Sequence, residues 1–164
     1  FPSRSFDWVS SMHMLYHVPD IPKALREISR ILSPAGSFVV TTNSIKTKPF
    51  LRSLIKHVTP ILGPCEFTST TDRFSLEDAP ELVCNSFGLV ETRVYESVIR
   101  LTDPLPYLDY FDSMRGLWSP LPNDTMWQAA LLLVENLMRS QIAITGCLEE
   151  PNVFGAIFAS HPRH

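Results

Sequence analysis

Residues 6–42 constrain the fold more than any other part of the chain, because two apolar stretches there flank a single helical pattern. FDWVSSM, from Phe6, has strand character and runs into a loop closed by Pro19-Asp20. Asp20 suits an N-cap, its carboxylate accepting from backbone N–H groups that a first helical turn leaves unpaired. Ile21, Ala24, Leu25, Ile28, Ile31 and Leu32 then recur on one helical face, while Lys23, Arg26, Glu27 and Arg30 take the other. Pro22 is tolerated in the first turn, where its missing N–H costs nothing. Ser33-Pro34-Ala35-Gly36 should end the helix, and SFVVTT (residues 37–42) reads as a second, buried strand. Strand, crossover helix and strand make a βαβ unit with parallel strands and a right-handed crossover, so the chain is α/β.

Further along, Phe50, Leu51, Leu54, Ile55, Val58, Ile61 and Leu62 predict a second helix, stopped by Gly63-Pro64. Ser75-Leu76-Glu77-Asp78 resembles a capping box ahead of a helix with Leu82, Val83 and Phe87 on its apolar face, and Gly88 is expected to cap its end. Residues 89–98 alternate as a strand, with Val90, Thr92, Val94, Glu96 and Val98 on one face. Two helices should follow, over residues 104–117 and 124–144, the second capped by Asn123 or Asp124. VFGAIFAS (residues 153–160) closes the chain as a last strand. The only linker-like stretch is Ser119-Pro120-Leu121-Pro122.

FDWVSSMHMLYHVPDIPKALREISRILSPAGSFVVTT closely resembles the fourth strand, fourth helix and fifth strand of class I S-adenosylmethionine-dependent methyltransferases. Phe6-Asp7, Leu15, His17-Val18, Asp20, Ala24-Leu25, Glu27-Ile28, Arg30, Leu32 and Pro34 carry the match, and Ala35 departs from the family's usual first glycine. RFSLEDAPELVCNSFGLVETRVY resembles the family's later helix and sixth strand, and VFGAIFAS its antiparallel last strand. The resemblance implies a Rossmann-like fold, present in part: strands four to seven, their crossover helices, and a helical insertion at 101–148 before the last strand. The family's glycine-rich loop and the acidic residue that holds the cofactor's ribose have no counterpart, and no G-x-G occurs in the chain. With Phe1 as first residue, residues 1–164 are therefore expected to be the C-terminal part of a methyltransferase domain, inactive by itself. In that reading residues 7–12 form an edge without the lysines, prolines or bulges that discourage strand pairing, so aggregation or a homodimer through this edge is expected.

The resemblance implies S-adenosylmethionine as cofactor and a small-molecule metabolite as methyl acceptor. Ser11, Met12 and His13 stand where the first strand ends, the edge at which α/β sheets bind ligands, and by resemblance they would line the cofactor. The family often has a small or amide side chain at the position of Met12. His17 has two readings, a general base for a hydroxyl nucleophile or a histidine that hydrogen-bonds its loop into shape. His13 and His17 are four apart but lack an intervening Glu and lie at a strand-to-loop junction, so no metal site is expected. In the insertion, Tyr107, Tyr110 and Trp118 are candidate apolar walls of a substrate pocket; a helix pair packing on the sheet or in a dimer interface explains the same residues.

Charge narrows the partners. Fourteen Lys+Arg against 17 Asp+Glu leave a formal charge of −3 and no basic stripe for a nucleic-acid backbone. No apolar run approaches the roughly 20 residues that span a bilayer. Cys65, Cys84 and Cys147 are odd in number and contain no C-x-x-C pair, which suggests neither disulfides nor zinc and fits a reducing, cytoplasmic setting. Two other functions compete with methyl transfer: a noncatalytic remnant serving as a dimerisation module, and a nicotinamide oxidoreductase, for which no Tyr-x-x-x-Lys pair is present.

Overall fold

The computed structural model describes residues 1–163. Its elements run β1 (Phe6–Met12), α1 (Ile21–Ile31), β2 (Leu32–Asn43), α2 (Pro49–Val58), β3 (Glu66–Phe67), α3 (Ala79–Cys84), β4 (Phe87–Leu101), α4 (Leu105–Ser113), β5 (Trp118–Ser119), α5 (Asp124–Thr145) and β6 (Leu148–Pro162). They form two compact units. The first comprises Phe1–Thr47, Thr70–Glu96 and the chain from Val153; the second comprises Lys48–Ser69 and Ser97–Asn152.

The first unit holds a sheet of order β1-β2-β6-β4. β1 and β2 are parallel, as the crossover requires, and β6 runs antiparallel to β2 from Ser37↔Ser160 to Asn43↔Phe154. α1 begins where the sequence places it, with Asp20 Oδ1 accepting from the Lys23 N–H at 2.9 Å. Its apolar face delivers Ile21 and Leu25 to a core completed by Leu32, Phe38, Val40, Phe74, Val83, Phe87 and Ile157. Phe38 and Phe87 stack there with ring centroids 5.6 Å apart. Each such fully buried side chain contributes about 1.5–3 kcal/mol.

Several boundaries differ from the sequence reading. Ser33-Pro34-Ala35-Gly36 lies within β2 rather than in a loop, as a bulge between the pairs Phe6↔Leu32 and Trp8↔Ser37. Gly36 is required there by close approach, since a Cβ would come within 2.9 Å of both Leu32 Cδ2 and the Ser33 carbonyl oxygen. Gly88 is not a helix cap: α3 ends at Cys84, Asn85 caps it, and Gly88 already lies in β4. The alternation of residues 89–98 does not translate into a buried and a solvated face, because every residue from Glu91 to Arg100 is exposed. The helix expected over 104–117 stops at Ser113, followed by a 3-10 turn and the short β5. β1 occupies one end of the sheet order, and Trp8 on it is 57% exposed.

The second unit is mainly helical. Along α5, Trp127, Ala130, Val134 and Met138 keep helical spacing and are buried against Leu51, Leu54 and Val58 of α2 and Phe111 of α4. Phe111 stacks on Trp127 at 5.7 Å, and the Trp127 indole N–H donates to Asp112 Oδ1 at 2.6 Å. Asn123 caps α5 by accepting from the Met126 N–H, and Gly146 ends it at φ 78, a left-handed conformation that glycine adopts without strain. β3 and β5 pair antiparallel, a feature too short for the sequence pattern to show.

Candidate functional site

In the first unit the parallel strands β1 and β2 end together, so their carboxyl ends form one edge. Thr41 of β2 fixes the end of β1: the His13 N–H donates to the Thr41 carbonyl at 3.2 Å and to Thr41 Oγ1 at 3.1 Å. The same hydroxyl lies 3.7 Å from Met12 Sδ. His13 leaves the strand at φ 51, a left-handed conformation uncommon for a residue with a Cβ, which turns the chain at the edge. Its ring lies 6.3 Å from that of Phe154, which in turn stacks on Tyr95 at 5.4 Å. Met12 and Met14 are both exposed here, and Ser11 is half-buried. The edge therefore offers thioether, imidazole and aromatic surface.

Beside it, Glu77 gathers the turn after β2. Its carboxylate accepts from Ser44 Oγ at 2.5 Å and from the Ile45 N–H at 3.0 Å. Partial burial alone would raise the Glu77 pKa, but these hydrogen bonds and the charge of Lys46 outweigh it and hold the carboxyl below its ordinary range. The capping geometry expected at Ser75 is present in altered form: the Asp78 N–H donates to Ser75 Oγ at 3.2 Å, while Asp78 Oδ2 accepts from the Ser75 hydroxyl at 2.6 Å.

His17 sits in a 3-10 turn, exposed, its ring edge-on to Tyr16 at 4.6 Å. Its loop is held by Arg73, which donates to the carbonyls of Tyr16 (3.1 Å), Val18 (2.8 Å) and Pro19 (3.0 Å). Arg73, Thr41 and Glu77 escaped the sequence reading, since each acts on a partner roughly 30 to 60 positions away and leaves no periodic trace. Among the described residues no group of three or more His, Cys, Asp or Glu is placed to hold a metal ion.

Of the remaining sequence candidates, all in the second unit, Tyr107 and Trp118 are core residues. Tyr107 donates its hydroxyl to the fully buried Glu150, and Trp118 packs edge-on against Phe67 at 5.2 Å. Tyr110 is 40% exposed, with Lys48 Nζ donating to its hydroxyl at 3.0 Å.

Sheet order, the parallel β1–β2 pair and the antiparallel β6 make this the Rossmann-like fold of class I methyltransferases. Solved structures share it: YcgJ from Bacillus subtilis, TM-score 0.56 at 15% identity over 100% of this chain and 67% of that one; and a methyltransferase-like protein from Bacillus halodurans, TM-score 0.57 at 13% identity over 99% and 67%. In sequence, residues 1–40 match the family model described as a methyltransferase domain. The uncharacterized methyltransferase YcgJ of Bacillus subtilis is 30% identical over 64 residues, covering 39% of this chain and 25% of that protein. The demethylmenaquinone methyltransferase of Staphylococcus epidermidis is 37% identical over 67 residues, covering 38% and 28%. The matched stretch thus spans about a quarter of the length of these relatives. Residues 1–40 thus resemble a methyltransferase domain in sequence, and the chain shares the Rossmann-like fold of solved methyltransferase structures.

The residues present fit one wall of an S-adenosylmethionine site. Met12 and His13 present soft, polarisable surface at the strand end, suited to a purine or thioether face. The His13 N–H is already taken by Thr41, and the Glu77 carboxylate accepts from Ser44 and Ile45 with one bond to each oxygen.

Proposed function

We propose that the protein takes part in methyl transfer from S-adenosylmethionine to a small-molecule metabolite, with Ser11, Met12 and His13 lining the cofactor. The observation that supports this reading is the turned strand end at His13, within the one segment that also carries the methyltransferase sequence pattern. The cofactor, when bound, supplies a methyl group activated on a sulfonium; the protein's share is to position the acceptor and exclude water. His17, exposed on a loop clamped by Arg73, would accept the proton of a hydroxyl acceptor. Tyr110, backed in sequence and core by Tyr107 and Trp118, would select the substrate. The demethylmenaquinone methyltransferases among the relatives are named for a small-molecule acceptor, which favours a metabolite over a macromolecule.

The competing reading, a noncatalytic methyltransferase-like module, draws support from the edge position and exposed Trp8 of β1. Calorimetric titration with S-adenosylmethionine, performed on the intact gene product, separates the two. Binding that Met12→Asp and His13→Ala each weaken at least tenfold supports the catalytic reading. Absence of binding, or unchanged affinity in both variants with the fold intact, overturns it. In an active preparation Tyr110→Ala should raise the KM for the acceptor and leave that for the cofactor unchanged.

A further inference from the structure

A second concave site lies at the opposite end of β1, within the first unit. Ser3, Arg4, Arg26, Glu27, Arg30 and Arg163 line an open surface groove of about 660 Å³. The chain's formal charge is −3, yet this groove collects four guanidinium groups against one carboxylate. That carboxylate is already used: Glu27 Oε2 accepts from Arg30 Nε at 3.0 Å and Nη2 at 2.9 Å. Arg30 reaches on to Ser3 Oγ and the Phe1 carbonyl, both at 3.0 Å, which consumes its fork and leaves the Ser3 hydroxyl proton free to donate. Arg4, Arg26 and Arg163 have no ion-pair partner among the described residues.

The backbone holds these side chains in place at some cost. Arg4 sits at φ 56, where the Cβ of any residue but glycine is strained, and it is fixed there by its own N–H to the Arg30 carbonyl (3.0 Å) and the next N–H to Ile31 (2.8 Å). Folding alone would be served better by glycine at that position. Arg163 is tied on both sides of its peptide, its N–H donating to the Ser86 carbonyl and its own carbonyl accepting from Ser29 Oγ, each at 2.9 Å.

We infer that this groove binds a small oligophosphate, a di- or triphosphate group free or at the end of a nucleotide. Three guanidinium groups without an ion-pair partner among the described residues call for a ligand with several negative charges, and each planar fork matches two phosphate oxygens. The lining has no aromatic residue on which nucleic-acid bases could stack. The site lies at the amino ends of the parallel strands, so the inference does not depend on methyl transfer.

Isothermal titration with inorganic tripolyphosphate, adenosine triphosphate and adenosine monophosphate at near-physiological salt tests it. One tripolyphosphate per chain is expected, with monophosphate at least tenfold weaker. Tighter binding of the nucleotide than of tripolyphosphate would assign the ligand to nucleotides; equal binding would assign it to the oligophosphate alone. Arg4→Gly relieves the strained φ while removing the guanidinium, so it should weaken binding at least tenfold with a melting temperature unchanged or raised. Arg26→Gln, on the exposed face of α1, should do the same, and Arg139→Gln, an exposed arginine of α5, should leave binding unchanged. Absence of tripolyphosphate binding, or equal binding by wild type, Arg4→Gly and Arg26→Gln, would overturn the inference.

Discussion

Replacing Tyr107 with phenylalanine should destabilise the helical unit by an amount that shrinks as the solution becomes alkaline. In the fold, Glu150 is fully buried and accepts three hydrogen bonds: from the Phe50 N–H (3.0 Å), the Leu51 N–H (3.1 Å) and the Tyr107 hydroxyl. The first two belong to the opening turn of α2, so one carboxylate both caps a helix and anchors a tyrosine. Removing the hydroxyl loses a hydrogen bond to a charged acceptor, nominally about 1.5–3 kcal/mol, partly offset because the hydroxyl no longer needs desolvation. A net cost of about 1–2 kcal/mol at pH 8 is expected. Burial first, then the hydrogen bond and charge of Glu150 and the nearby Tyr110, push the Tyr107 pKa far above its ordinary value of 10.0. A pKa raised by folding gives stability that is complete below the unfolded value and lost as pH climbs above it, here from about pH 10 upward. One pH unit beyond that costs the wild type about 1.4 kcal/mol, a loss the phenylalanine variant lacks. Urea unfolding followed by fluorescence of the buried Trp118 and Trp127 should therefore show the variant weaker at pH 8 and nearly level with wild type at pH 11. A stability difference that stays constant between those pH values would refute the protonated, buried phenol on which the reasoning rests.

Three further outcomes follow from the first unit. Gly155→Ala should cost about 1–3 kcal/mol by thermal melting, because its Cβ would lie 2.3 Å from Leu76 Cδ1 and 3.0 Å from the Arg93 carbonyl; adding Leu76→Ala should recover only part, since the carbonyl cannot withdraw. Arg73→Ala should speed amide hydrogen exchange in residues 15–19 well above that in α1, and equal exchange in both would show that its three carbonyl contacts do not hold the loop. Glu77, whose pKa lies below its ordinary value of 4.5, contributes stability that is present at neutral pH and lost on acidification; Glu77→Gln should be less stable at pH 7 and show a flatter decline below about pH 4.5 in denaturant titrations.

Sequence alone determined what neighbours along the chain could settle. Asp20 can cap α1 because its acceptor, the Lys23 N–H, is three residues away, and the apolar stripe from Ile21 to Leu32 is a matter of helical period. From these the parallel β1–β2 pair follows by chain geometry, and with it the edge that carries Ser11, Met12 and His13. Tertiary structure alone decided everything that joins distant residues. Glu150 carries no sequence signal for burial, yet it is buried because α2 and Tyr107, 99 and 43 positions away, bring three donors to it. β4 reads as an amphipathic strand, but whether a strand's face is buried depends on what lies across it, and from Glu91 to Arg100 this one is exposed on both sides. Arg4 and Arg163 stand at opposite ends of the sequence, and their convergence on one groove could not be read from spacing. Hydrophobic periodicity is a local property of the chain, whereas burial of charge is set by which donors the fold delivers from elsewhere.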